Sequence, residues 1–168
     1  MLERVLSLSD GFLVRAANMT VDELKARFRR CPGAFHCVLR VERAVELVGY
    51  FILLPLNEKG CEALREGAIL EGRQIRLSDL TEPGERIAAM YLSVVCAIGP
   101  RAQKAAIEGV IATLRTVYRR DNVRQLFARA ATANGARILE RLSGTPFAAD
   151  GRIHSIDLAA YDLIAAQR

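Results

Sequence analysis

Val94-Val95-Cys96-Ala97-Ile98-Gly99-Pro100-Arg101-Ala102-Gln103-Lys104-Ala105-Ala106 joins an apolar run directly to the opening of a helix. Upstream, Ile87 to Ile98 is almost unbroken in its apolar character and is bounded by Gly84 and by Gly99-Pro100. A run of that length with β-branched and aromatic residues inside it predicts a central strand buried on both faces. Downstream, Pro100 suits a first helical turn. Ile107, Val110, Ile111, Leu114 and Val117 then recur at helical spacing. Arg115, Arg119 and Arg120 gather near the helix end, where cations suit the carbonyl dipole, and Asn122 ends it. A strand feeding a helix in this way is the unit from which α/β sheets are built, and ligands in such folds sit beyond the carboxyl ends of the strands. The first turn of the helix offers unpaired N–H groups and a positive dipole end. Gly99, Ala102, Ala105 and Ala106 would let a phosphate approach the backbone, and Arg101 and Lys104 add charge. The same small residues also suit a helix packed closely on a sheet, and the segment alone leaves both readings open.

Towards the amino end, Thr20-Val21-Asp22-Glu23 is a capping box, and Leu24 and Phe28 share a face, which predicts a helix to about Arg30. Cys31-Pro32-Gly33 stops it. Phe35 to Val41 and Val45 to Leu54 read as two strands joined through Arg43-Ala44, a hairpin. Asn57 caps a short helix carrying Cys61, Leu64 and Ala68. A connector from Gly72 to Gly84 follows, with Leu77 and Leu80 as expected anchors. After the long helix, Val123 to Ala130 reads as a strand. Asn134 begins a helix using Ile138, Leu139 and Leu142 that Gly144 and Pro146 close, and Arg152 to Ala159 gives a last strand. Strands mixed with helices, part hairpin and part crossover, predict one α/β domain over residues 1–168 with a mixed central sheet and helices on both faces.

Composition narrows the classes. The 168 residues carry 24 basic and 19 acidic side chains, a net charge of +5, with 51% hydrophobic residues, which is globular and compatible with an anionic partner. No apolar run approaches the roughly 18 residues of a membrane helix. The opening MLERVLSLSDGF is too short and too interrupted by acids for a signal peptide. Cys31, Cys37, Cys61 and Cys96 form no C-x-x-C pair and lie in apolar contexts, as expected of reduced cysteines in a cytoplasmic protein. Cys31, His36 and Cys37 lack a fourth metal ligand at suitable spacing, so no metal is expected. The series Arg115, Arg119, Arg120, Arg124 and Arg129 has no aromatic interleaving or nucleic-acid motif beside it, and reads as solvated surface or ion pairs.

The element order, from Phe35 to about Tyr161, resembles the GNAT superfamily of N-acetyltransferases. In that family the fourth strand ends in a turn of pattern Q/R-x-x-G-x-G/A whose amides hold the pyrophosphate of coenzyme A. Arg101-Ala102-Gln103-Lys104-Ala105-Ala106 is similar to it: Arg101 and Ala106 fit, and Lys104 stands where glycine is usual. Ala133 to Phe147 is similar to the family's closing helix, N-x-x-A-x-x-L-Y-x-K-x-G-F, with Ala136, Leu139 and Gly144 in register and Asn134 one place from the family asparagine. Glu140 takes the place of the tyrosine that often protonates the leaving thiolate.

The resemblance implies transfer of an acetyl or other acyl group from acyl-coenzyme A to an amine by direct attack on the thioester. The cofactor would lie on Val95, Cys96, Ala97, Arg101 to Ala106 and Asn134, with a backbone N–H near Val95 to Ala97 facing the oxyanion. Glu140, His154 and Tyr161 are the candidates for proton transfer, each with a plain structural alternative. Ser93 and Cys96 lie along the same strand, Cys96 more as a small apolar residue than as a nucleophile. The lost glycine and tyrosine also fit a non-catalytic domain of the same fold that senses a ligand or binds a partner. A homodimer, common in the family, would need an apolar edge or patch.

Overall fold

In the computed structural model, residues 20–142, 144–147 and 152–160 are described; Tyr161 lies outside them. Helix α1 (Val21–Arg30) opens on the expected capping box. The Glu23 N–H donates to the Thr20 hydroxyl at 3.2 Å, and the Thr20 N–H donates to the Glu23 carboxylate at 2.7 Å. Strands β1 (Phe35–Val41) and β2 (Val45–Leu56) form the antiparallel hairpin, paired from Phe35–Ile52 to Val41–Val45 with a register shift between Val38 and Leu39. Asn57 accepts from the Gly60 N–H and caps α2 (Glu58–Arg65). Strand β3 (Ala89–Ala97) runs antiparallel to β2 and leads into α3 (Gly99–Asp121). This helix ends at Asn122 in the left-handed conformation, φ 52°. Then follow β4 (Gln125–Arg129), parallel to β3; α4 (Ala133–Arg141); and β5 (Thr145–Phe147) and β6 (Ile153–Asp157), which pair antiparallel, with β6 also antiparallel to β4. The sheet has six strands in the order β1-β2-β3-β4-β6-β5, mixed as expected.

Several boundaries differ from the sequence expectation. Pro146 belongs to a short strand instead of closing a helix; β5 is an edge strand, where the missing N–H breaks no ladder on its outer side. Helix α4 starts at Ala133, one residue before Asn134, because the Thr132 hydroxyl accepts the Gly135 N–H at 3.0 Å. Strand β2 runs on to Leu56: its pairing with β1 ends at Ile52, and the Pro55 carbonyl accepts from the Thr81 N–H. Strands β3, β4 and β6 are each shorter at both ends than expected. Leu77 is 44% exposed and anchors nothing, whereas Ile75 and Leu80 are fully buried. Cys37 is exposed on β1, while the other three cysteines are buried; all four are reduced.

The sheet has a core on each face. Leu54, Leu64, Ile75, Tyr91 and Phe127 pack on the side of α2 and the connector. Leu53, Val110, Leu114, Leu126 and Ile156 pack on the side of α3 and α4. Gly49 sits where β2 meets β3 so closely that a Cβ would lie 2.7 Å from the Cys96 carbonyl oxygen. Gly49→Ala is expected to cost about 1–2 kcal/mol, since backbone cannot yield as a side chain does; the urea midpoint should fall at unchanged slope.

Burial pushes the Cys61 thiol up to about 11 from 9.0 and the Tyr91 hydroxyl up to about 12 from 10.0. Both groups bind their proton more tightly folded than unfolded. The stability they contribute is therefore complete below pH 9 and is lost as pH rises through 9–12. Urea unfolding should show a loss of about 2 kcal/mol between pH 8 and pH 10, most of it from Cys61 and therefore largely removed in Cys61→Ala.

Candidate functional site at the split between two strands

β3 and β4 pair over only three positions, Met90–Leu126, Tyr91–Phe127 and Leu92–Ala128. Beyond Leu92, β3 continues to Ala97, whereas β4 ends at Arg129 and the chain turns away to the Thr132 cap. The two central strands therefore diverge, with the apex at Leu92 and Ala128. At the same level β3 carries an extra residue, Ser93, because Ile52 faces Val94 while Leu53 faces Leu92. A bulge of this kind bends the strand and re-aims its backbone.

The hydrogen-bond directions past the bulge follow from one contact. The Ile98 N–H donates to the Val48 carbonyl at 2.8 Å, towards β2. Alternation along a strand then sends the N–H groups of Val94 and Cys96 the same way. Those of Val95 and Ala97 point to the opposite side, where β4 has already left. A ligand lying in the split would meet backbone donors along one wall.

At the top of that wall, α3 begins without a side-chain cap on Ile98. Gly99 holds φ 80°, a conformation that glycine adopts at no steric cost. The free N–H groups of this first turn and the positive end of the helix dipole face the carboxyl end of β3. Ala102 and Ala106 are buried against Val48 and Ala97, so small side chains bring the helix start down onto the sheet. Arg101, Gln103, Lys104 and Ala105 are exposed. Lys104 lies 3.8 Å from Glu108 with its side chain 77% exposed, along the helix surface and out of the split. Cys96 is buried and burial pushes its thiol up, away from the thiolate a nucleophile needs.

The other sequence candidates are dispersed. Glu140 is exposed on α4, where Leu139 takes the buried position. His154 is half-buried on β6 opposite Ala128, level with the apex but separated from β3 by β4, and its buried Nδ1 has no hydrogen-bond partner among the described residues. Asn134 is the second residue of α4. The arginine series forms no stripe: Arg120 pairs with Asp121, Arg129 pairs with Glu71, and Arg124 precedes β4. Among the described residues, no three His, Cys, Asp or Glu side chains are placed to hold a metal ion, and no helix is long and apolar enough to cross a membrane.

On the α2 side the connector roofs the split, an arrangement with no periodic signal in the sequence. Arg27, 7% exposed, donates to the carbonyl oxygens of Gly72, Arg73 and Ile75 at 2.9, 3.1 and 2.6 Å. This holds Gly72 against the bulge so closely that a Cβ there would lie 2.4 Å from the Ser93 hydroxyl. Glu71, the neighbour, pairs at 3.1 Å with Arg129 at the end of β4. The loop thus touches both diverging strands. A polar groove lies at the opposite end of the sheet, lined by Arg86, Asn122, Arg124, Gln125, Ser155 and Asp157.

No protein-family model matches this chain, and no curated protein matches it. Among solved structures it is similar to "GphF GNAT-like decarboxylase in complex with isobutyryl-CoA", with a TM-score of 0.56 at 14% identity. The match covers 83% of this chain and 66% of that one, so this chain spans slightly less than two thirds of its relative. The chain has a GNAT-like fold.

Proposed function

We propose that this chain binds an acyl-coenzyme A in the split between β3 and β4 and passes the acyl group to an amine. The observation that carries the reading is the divergence itself. Past Leu92 the wall of β3 turns the N–H groups of Val95 and Ala97 into a gap that no strand fills among the described residues, directly below an uncapped helix start. Strand donors in such a gap suit the amides and thioester carbonyl of the cofactor, and the helix start with Arg101 and Lys104 suits its phosphates. The isobutyryl-coenzyme A held by the similar decarboxylase supports this choice of ligand.

The reaction follows from the chemistry of a thioester. The neutral amine nitrogen attacks the carbonyl carbon, and the carbonyl oxygen takes the electron pair and is held by a strand N–H. Collapse expels the coenzyme thiolate, and the nitrogen gives up a proton to a base or to water. Glu140, His154 and Tyr161 are the groups proposed for these proton transfers. His154 has positional support, since it lies level with the apex and its buried Nδ1 lacks a partner among the described residues.

A second reading is favoured by Lys104 in place of the usual glycine and by the exposure of Glu140: a non-catalytic domain that senses the ligand or binds a partner. One experiment separates them. Acetyl-coenzyme A at about 100 times its dissociation constant should raise the melting temperature by roughly 5–10 °C. Under transfer, free coenzyme thiol should also accumulate with a panel of primary amines. Stabilisation without thiol release supports the non-catalytic reading. No shift at millimolar ligand contradicts the transferase and leaves a non-catalytic domain that binds a partner.

A further inference from the structure

We propose that the apolar pocket between α3 and α4 receives the aliphatic tail of the acyl group, so that the ligand carries a chain longer than acetyl. The inference rests on the cofactor reading above and extends it to substrate class. Leu92 belongs to a central strand, where side chains are ordinarily buried on both faces, yet it is only half-buried. Among the described residues a gap lies above it: Ile107, Val110 and Ile111 of α3 and Ile138 of α4 line it together with Leu92, and α3 and α4 stand apart across it.

Apart from the exposed Arg115, every lining side chain is aliphatic. Such a wall offers a polar ligand no partner and favours an apolar chain. The pocket's free volume of about 40 Å³ is roughly three times the minimum that holds one water, room for a few methylenes. Its position names the occupant. Leu92 is both a pocket wall and the last β3 residue paired with β4, so the pocket borders the apex of the split. Val95, whose N–H is aimed at the thioester, packs on the same face of the sheet as Leu92. Leu92 and Val95 share one apolar face, so a chain attached to a carbonyl at Val95 would run along that face to Leu92 and on between the helices.

The test is isothermal titration of the full chain with coenzyme A, acetyl-, butyryl-, hexanoyl- and octanoyl-coenzyme A, and with free octanoate. Affinity should rise about fourfold per methylene from acetyl to hexanoyl. In Ile111→Phe and Ile138→Phe, which fill the pocket from opposite walls, the series should be flat while acetyl-coenzyme A binds as before. Circular dichroism verifies that both variants fold, and either one suffices. Equal affinity for every acyl chain in the wild type overturns the pocket and leaves the cofactor reading intact. Octanoate binding as tightly as octanoyl-coenzyme A overturns the assignment to a thioester tail. No binding of any coenzyme overturns the cofactor reading and this inference together.

Discussion

The double variant Arg101→Glu/Lys104→Glu is expected to bind acetyl-coenzyme A about 100-fold more weakly than the wild type and to unfold at nearly the same urea concentration. Each reversal changes the local charge by two. At roughly 7 Å in water that is worth about 1.2 kcal/mol per phosphate charge, close to tenfold in affinity. The two positions lie in the first turns of α3 and are exposed, so no packing is lost. A carboxylate near a helix start is favourable for the helix itself, and the new repulsion between a carboxylate at position 104 and Glu108 removes only about 0.3–0.5 kcal/mol. Binding and stability therefore separate, which a general loss of structure would not allow. The deficit should shrink as salt rises towards and beyond 0.15 M, where the screening length is about 8 Å. Unchanged affinity would place the phosphates elsewhere, and the groove of Arg86 and Arg124 would be the site to examine.

Arg27→Met is expected to lose about 3 kcal/mol of stability and to lower the melting temperature by roughly 6–12 °C. The guanidinium is buried, and burial pulls its proton affinity down, offset by Glu23 and Asp79. It remains charged, because no ordinary burial brings an arginine near neutrality. Its three hydrogen bonds satisfy the carbonyls of Gly72, Arg73 and Ile75 at once. Methionine preserves the aliphatic stem but leaves those acceptors without a donor, at about 1 kcal/mol each. Arg27→Lys should recover only part of the loss, since one ammonium cannot reproduce the planar fork. Urea unfolding checks the magnitude. A change below about 0.5 kcal/mol would mean that water replaces the guanidinium and that the connector holds itself over the split.

The parts of this fold that are legible in the sequence are those with a local cause. Thr20 and Glu23 make their box whatever surrounds them, Asn57 caps α2, and the helical spacing from Ile107 to Val117 needs only one apolar face. The opening of α3 is legible for the same reason, since Gly99-Pro100 starts a helix and Ala102 and Ala106 let it approach the sheet. The split is not a local property. It depends on β4 ending at Arg129 while β3 continues, and on Ser93 being bulged out opposite β2, and neither leaves a periodic mark. The roof is further from view, because Arg27 and Gly72 are 45 residues apart and meet only in the folded chain. β5 escaped because three residues with a proline among them carry too little pattern to read as a strand.

A ligand lying in the split would take Val95, Ala97 and the start of α3 as its donors. Titrating ¹⁵N-labelled protein with acetyl-coenzyme A and following the backbone amide resonances tests it directly. The largest changes are expected at Val95, Ala97, Gly99, Arg101 and Ala102. Changes confined to Arg86, Asn122, Arg124 and Gln125, or none at millimolar ligand, would contradict it.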